Sequence, residues 1–230
     1  MRSYKLHLIR HGLTGGNLDG RYIGGGTDEP LCEKGVKGIE FLMENYEYPM
    51  GEKIYTSPMR RAVETCELLY PDCDYTAVDA ISECNFGEFE NKTLAELSQN
   101  ERFNQWLQAK SDFTPEGGES NQDFAQRCAN GLNQILTDMM TNDIHEGVCV
   151  CHGGVIAVLL GMFSYPQRPF HEWASDSGCG FTIITTTEMW TRDNVVEAVE
   201  IVPSGWGMDD VENDDSDENN KNDNEEKKEI

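Results

Sequence analysis

Leu6-His7-Leu8-Ile9-Arg10-His11-Gly12 decides the fold. The first four residues read as a buried strand, and the chain turns at the glycine. An arginine and a histidine stand where the strand stops. Open α/β sheets place their chemistry there, outside the carboxyl ends of the strands. The layout recurs late in the chain: the apolar run Gly147-Val148-Cys149-Val150-Cys151 ends flush against His152-Gly153-Gly154.

Between these two stretches, strands alternate with helices. Glu33–Tyr46 has helical spacing, with Val36, Ile39, Leu42 and Met43 on one face. Lys53–Thr56 and Tyr75–Val78 read as short strands. Ser57-Pro58 reads as a helix start, serine as N-cap and proline as first helical residue. That helix runs to about Tyr70 with Met59, Ala62, Val63, Cys66 and Leu69 inward. Arg60 and Arg61 lie in its first turn, where cations oppose the helix dipole, so at least one is held there for a purpose. Ser120 with Asp123 resembles a capping box. The helix after it reaches about Thr141 and carries an amphipathic stripe of Phe124, Cys128, Leu132, Ile135, Leu136 and Met139. Val155–Phe163 reads as a buried helix, and Phe181–Thr187 with Val195–Val202 as a hairpin. The alternation predicts an α/β fold, a mainly parallel sheet with helices on both faces. The closing hairpin adds at least one antiparallel pairing. Residues 1–207 read as a single domain, with a helical excursion over about 85–119.

Charge narrows the partners. The formal net charge is −24, and residues 209–230 hold eleven acidic residues against three lysines. That segment is nearly free of apolar side chains, so 208–230 reads as an acidic disordered tail. So acidic a chain is expected to avoid nucleic acid and anionic membranes, and no apolar run is long enough to span a bilayer. There are eight cysteines. The chain opens on a five-residue apolar strand flanked by charges, unlike a secretory signal, and it is large enough to fold without staples. Cys149 and Cys151, about 6.8 Å apart by strand rise, are at the far edge of disulfide reach. Reduced thiols and a cytoplasmic location are therefore expected. The glycine-rich stretch from Gly12 to Gly26 has neither dinucleotide nor P-loop spacing. No cofactor is implied, and no ligand set with metal spacing is present.

His11, Arg61 and His152 all fall at or just past predicted strand ends, and Arg10 adjoins His11. On one edge of a parallel sheet they make a small positive pocket in an acidic protein. Such a pocket suits phosphoryl transfer. Arginines bind phosphate oxygens in pairs, and a neutral imidazole can attack phosphorus. A leaving alkoxide needs a proton, and Glu83 is the candidate acid, in a segment of mixed carboxylates and aromatics after the third strand. The non-phosphate part of the ligand is not encoded by spacing, and neither is oligomeric state.

The ordered motifs also resemble a known family. They are Arg10-His11-Gly12-x-Thr14-x-x-Asn17, Ser57-Pro58-Met59-x-Arg61-Ala62, Glu83 with Phe86-Gly87-Glu88, Gly117-Gly118-Glu119-Ser120, and His152-Gly153-Gly154. The set resembles the histidine phosphatase superfamily, which includes phosphoglycerate mutases and α-ribazole phosphatases, and it covers most of residues 4–202. The resemblance implies a three-layer α/β/α sandwich of phosphoglycerate mutase type. It implies His11 as phosphorylated nucleophile and Glu83 as proton donor and then base. Arg10, Arg61, His152 and Gly153 would hold the phosphoryl group, with Asn17 assisting. Leu13, Phe89, Asn91 and Cys151 depart from the family's common residues. The short excursion and the Phe86-Gly87 and Gly117–Ser120 segments look most like the phosphatase branch. The expected activity is metal-independent hydrolysis of a small phosphorylated metabolite. A phosphoglycerate mutase and a non-catalytic phospho-ligand binding module are the alternatives.

Overall fold

The computed structural model describes residues 2–108 and 113–207. The opening stretch forms β1, Ser3–Arg10, inside a six-stranded sheet. The other strands are β2 (Lys53–Thr56), β3 (Tyr75–Ala77), β4 (Glu146–Cys151), β5 (Gly180–Thr186) and β6 (Glu197–Val202), in the order β3-β2-β4-β1-β5-β6. β1 to β4 run parallel, and β5 alone is reversed, antiparallel to both β1 and β6. The helices are α1 (Gly15–Leu18), α2 (Glu33–Asn45), α3 (Arg60–Leu69), α4 (Leu94–Leu97), α5 (Glu101–Leu107), α6 (Asn121–Thr141) and α7 (Gly153–Phe163). The fold is a three-layer α/β/α sandwich, mainly parallel with one reversed strand, as the alternation predicts.

The two-residue period of the strands divides the core. Leu6 and Leu8 of β1 join Cys149 and Cys151 of β4 in a cluster with α6 and α7. Ile9, Ile54, Val148 and Val150 face the other way, against Ile39 of α2 and Ala62, Cys66 and Leu69 of α3. All six residues of the α6 stripe are buried. Side chains such as Leu, Ile, Phe and Met contribute about 1.5–3 kcal/mol each on burial, so the stripe anchors that helix. Within the predicted excursion, Phe89, Leu97, Phe103 and Trp106 build a separate aromatic cluster.

Several local expectations change. Ser57 does not cap α3. Met59 holds the N-cap position, and the Ser57 hydroxyl is taken by the His152 ring at 2.8 Å. Pro58 therefore lies outside the helix. On α2 the buried stripe is Gly35, Ile39 and Leu42, while Met43 is exposed and Val36 half-buried. Gly35 lies against the Leu13 backbone, which turns the helix so that Met43 faces out. β3 ends at Ala77 and is exposed at the sheet edge. Ser120 caps α6 by accepting from Asp123 N, but the Asp123 carboxylate accepts from the Ser120 hydroxyl, so only half of the expected box forms. The β5–β6 hairpin is closed by a π-helical turn, Met189–Asp193. The eight cysteines are free, and Cys149 and Cys151 are packed in the core. The acidic segment 208–230 lies outside the described residues.

The seam between β1 and β5 sets the end of β1. Gly180 pairs with Ile9, and a Cβ at Gly180 would come within 1.8 Å of the Leu8 carbonyl oxygen. Next to it, Arg10 N donates to Cys179 O at 2.9 Å. Gly180→Ala should therefore cost about 3 kcal/mol or more, the upper end for forced overpacking. Urea unfolding measures this, and a variant within about 0.5 kcal/mol of wild type would show that the seam yields freely.

Candidate active site

Four chain segments bring the predicted residues to one edge. His11 follows β1 directly, and its backbone N–H donates to Cys151 O at 3.0 Å, tying it to the end of β4. His152 is the N-cap residue of α7, just past β4. Arg61 lies in the first turn of α3, after β2. Glu83 arrives after β3 through a short 3-10 turn, Asp79–Ile81. All four are buried. Arg10, His11, Asn17, Glu83 and Gly153 line one cleft of about 280 Å³, and His152 stacks edge-on to His11 with ring centroids 5.1 Å apart.

The hydrogen bonds fix the state of His11. Nδ1 contacts the Gly12 carbonyl at 2.6 Å, and a carbonyl only accepts, so Nδ1 carries the proton. Arg61 Nε donates to His11 Nε2 at 3.2 Å, so Nε2 offers a lone pair. Both contacts assign one neutral tautomer, on the network rather than on observed hydrogens. Burial, with the charges of Arg61 and Arg10, holds His11 well below its ordinary value, at about 3.

Arg61 is fully buried, which a guanidinium tolerates only with partners on its donors. Its other nitrogens donate to Thr27 O at 3.0 Å and Gly24 O at 3.2 Å. Thr65 joins this helix to the loop after β1: its hydroxyl accepts from Gly12 N at 2.9 Å and donates to Arg61 O at 2.6 Å. Arg60, by contrast, faces outward and pairs with Glu64. Of the two first-turn arginines, one is therefore held by the site and one is on the surface.

The Glu83 carboxylate accepts from Cys84 N at 2.9 Å and Gly154 N at 3.1 Å. A Cβ at Gly154 would fall 2.4 Å from this carboxylate, so the glycine allows it to rest on the start of α7. Burial pushes the Glu83 carboxyl up from its ordinary value, against these hydrogen bonds and the Arg61 and Arg10 charges. Burial drives His152 far down, with His11 and Arg61 adding to the effect. The Ser57 hydroxyl accepts from Met59 N at 3.3 Å and meets His152 Nε2 at 2.8 Å, which orients the His152 ring.

Three buried polar atoms here have no partner among the described residues: Arg10 Nε, His152 Nδ1 and Ser175 Oγ. Buried donors without acceptors are costly, so a ligand rich in acceptors fits them. Arg10 is braced by donating to Ser175 O at 2.6 Å, and Gly153 packs on its guanidinium. Asn17 lines the cleft while completing the Thr14 capping box of α1. No group of His, Cys, Asp or Glu placed to hold a metal ion occurs among the described residues.

Sequence reasoning missed Ser57's contact with His152, Ser175, Phe170 and His171 at the cleft, and above all Glu90. The Glu90 carboxylate accepts from Gly24 N, Gly26 N, Phe86 N and the Thr27 hydroxyl at 2.8–3.0 Å. It thereby shapes the loop whose carbonyls hold Arg61. The glycine-rich stretch is a built cradle, not a loose connection.

Residues 6–195 match the histidine phosphatase superfamily (branch 1). The chain belongs to this superfamily. It is 26% identical over 180 residues to an adenosylcobalamin/α-ribazole phosphatase of Escherichia coli, covering 76% of this chain and 87% of that one. It is 29% identical over 177 residues to a probable phosphoglycerate mutase of Cronobacter sakazakii, covering 71% and 78%. The solved α-ribazole phosphatase of Shigella flexneri superposes with a TM-score of 0.68 at 22% identity, over 87% of this chain and 96% of that one. Members of the superfamily are enzymes, and this chain has the fold and the phosphatase- or mutase-type relatives of one. Two of its departures from the common pattern have structural partners. Phe89 fills the aromatic cluster, and Asn91 sits at φ 58°, a left-handed position that asparagine tolerates better than most residues.

The buried histidines couple stability to pH. An unfolded His11 protonates below its ordinary 6.5, the folded one only near 3. Between those values the unfolded state binds the extra proton, so stability falls as pH falls. Relative to His11→Asn, the wild-type protein should lose about 1.4 kcal/mol per pH unit on acidification from 6 to 4. Denaturant melts at each pH check this, and parallel profiles for the two proteins would contradict a neutral buried His11.

Proposed function

We propose that this chain is a phosphomonoester hydrolase working through a phosphohistidine on His11. The observation that carries this reading is the Arg61–His11–Gly12 chain of hydrogen bonds. It presents an unprotonated Nε2 lone pair with a guanidinium beside it. When a phosphomonoester enters, Arg61 Nε turns from His11 to a phosphoryl oxygen. Arg10 Nε and His152 Nδ1 supply further donors. Nε2 attacks phosphorus and the bond to the ester oxygen breaks. Glu83, whose burial favours the protonated form, gives a proton to the leaving alkoxide. The Glu83 carboxylate then takes a proton from water as that water attacks the phosphohistidine. The P–N bond breaks and inorganic phosphate leaves. Charge on the transferring group is met by side-chain donors already in position, so the reading requires no metal ion.

The volume of the cleft, about 280 Å³, suits a small phosphomonoester, and Ile23, Ala157 and Phe170 line it together with the polar groups. Eight free thiols suit the reducing cytoplasm, where such metabolites are met. No described helix is long and apolar enough to cross a membrane.

His11→Ala should abolish trapping of phosphoenzyme from a labelled aryl phosphate. Glu83→Gln should slow hydrolysis of an alkyl phosphate by roughly 10²–10⁴-fold. Full activity in chelator is expected. Loss of activity on chelation would remove the metal-independent part of the reading. Interconversion of phosphoglycerate isomers faster than phosphate release would make the chain a mutase.

A further inference from the structure

The segment that delivers Glu83 has little regular structure of its own. Beyond Ile81 it leaves the 3-10 turn, and its carbonyls need partners from elsewhere. One side chain supplies three of them. Arg127 projects from α6 and donates to Ala80 O at 3.0 Å, Ser82 O at 2.8 Å and Glu83 O at 3.2 Å. The same guanidinium grips Glu119 at two points, both 2.7 Å. Glu119 in turn holds Asn85: its carboxylate accepts from Asn85 N at 3.1 Å, and its N–H donates to Asn85 O at 2.8 Å. One ion pair therefore pins residues 80, 82, 83 and 85. The planar fork of arginine suits this task, and lysine cannot reproduce it. The Phe124 ring lies against the guanidinium, 5.3 Å from its centroid.

Arg127 is not among the residues lining the cleft. It acts on the Glu83 main chain, while the Glu83 carboxylate is set from the front by Cys84 N and Gly154 N. We infer that Arg127, with Glu119, is a positioning residue for proton donation, holding the Glu83 backbone so that its carboxyl meets the leaving oxygen. The inference rests on Glu83 being the proton donor.

A donor out of place hurts most when the leaving group needs a proton. Arg127→Ala should lower kcat/KM for an alkyl phosphate by roughly 10–100-fold, a fraction of the full general-acid effect. For 2,4-dinitrophenyl phosphate, which leaves without a proton, the same variant should stay within a few-fold of wild type. Competitive inhibition by inorganic phosphate should be unchanged. Arg127→Lys should fall between the two. Glu119→Gln, which keeps the arginine and the shape of the pair, should shift the leaving-group dependence in the same direction, and it replaces Arg127→Ala if that protein does not fold. Equal losses on both esters, or no loss on either, would overturn the inference. Glu83→Gln is run alongside. If it too fails to discriminate between the esters, the donor assignment is at fault. If it discriminates and the Arg127 and Glu119 variants do not, the positioning role alone is wrong.

Discussion

A fully buried guanidinium 3.2 Å from an imidazole is the contact on which the rest of this site depends. Alone, the pair would be unfavourable: removing Arg61 from water costs several kcal/mol, and a protonated His11 beside it would repel it. The structure resolves both problems together. His11 stays neutral because its surroundings penalise a second cation, and a neutral Nε2 can accept from Arg61. The remaining donors of Arg61 are satisfied by Gly24 O and Thr27 O. Burial that would be a liability for stability is what leaves His11 Nε2 its lone pair.

This solution places demands on distant parts of the chain. Carbonyls can serve Arg61 only if the 24–27 loop holds its shape, and the Glu90 carboxylate enforces that through four hydrogen bonds. The negative charge of the chain fits the same logic. Glu83, Asp28, Glu90 and Glu29 all favour the charged form of Arg61, opposing the effect of burial. A cationic floor is thus stable inside an acidic protein because fixed carboxylates surround it, while the partnerless atoms Arg10 Nε and His152 Nδ1 face no competing protein acceptor.

What could be read from the sequence follows the range of the interactions. Apolar runs ending at His11 and His152 placed both histidines, since strand ends in a parallel sheet share an edge. The α6 stripe was legible because its partners repeat at helical spacing. Ser57 was misread because a serine before a proline has the same signature whether its hydroxyl caps a helix or holds a ring 95 residues away. Met43 was misread because periodicity gives a face but not its width. Glu90 and Arg127 gave no signal: most of their partners are main-chain atoms, which carry no sequence identity, with Gly24 N and Gly26 N 66 and 64 residues from Glu90 and the carbonyls on Arg127 44 to 47 residues away. The side chains that converge on the cleft were visible, and the groups that hold their backbone were not.

The two halves of the chemistry then need a common reference. His11 and Arg61 belong to β1, α3 and the 24–27 loop, and Glu83 belongs to the segment clamped from α6, on the opposite face of the sheet. Besides the bonds of the Glu90 carboxylate to the 24–27 loop, further contacts join these halves. Gly25 N donates to Cys84 O at 2.7 Å, and Gly154 N, from the helix that follows His152, donates to the Glu83 carboxylate. In the proposed reaction, a misplacement near 1 Å between His11 and Glu83 would cost about 10²-fold in rate. These bonds connect the residue after Glu83, and Glu83 itself, to the cradle of Arg61 and to the helix behind His152. The relative position of Glu83 and His11 is therefore set by backbone N–H groups that bridge three segments, and side-chain clamps on either face brace those segments.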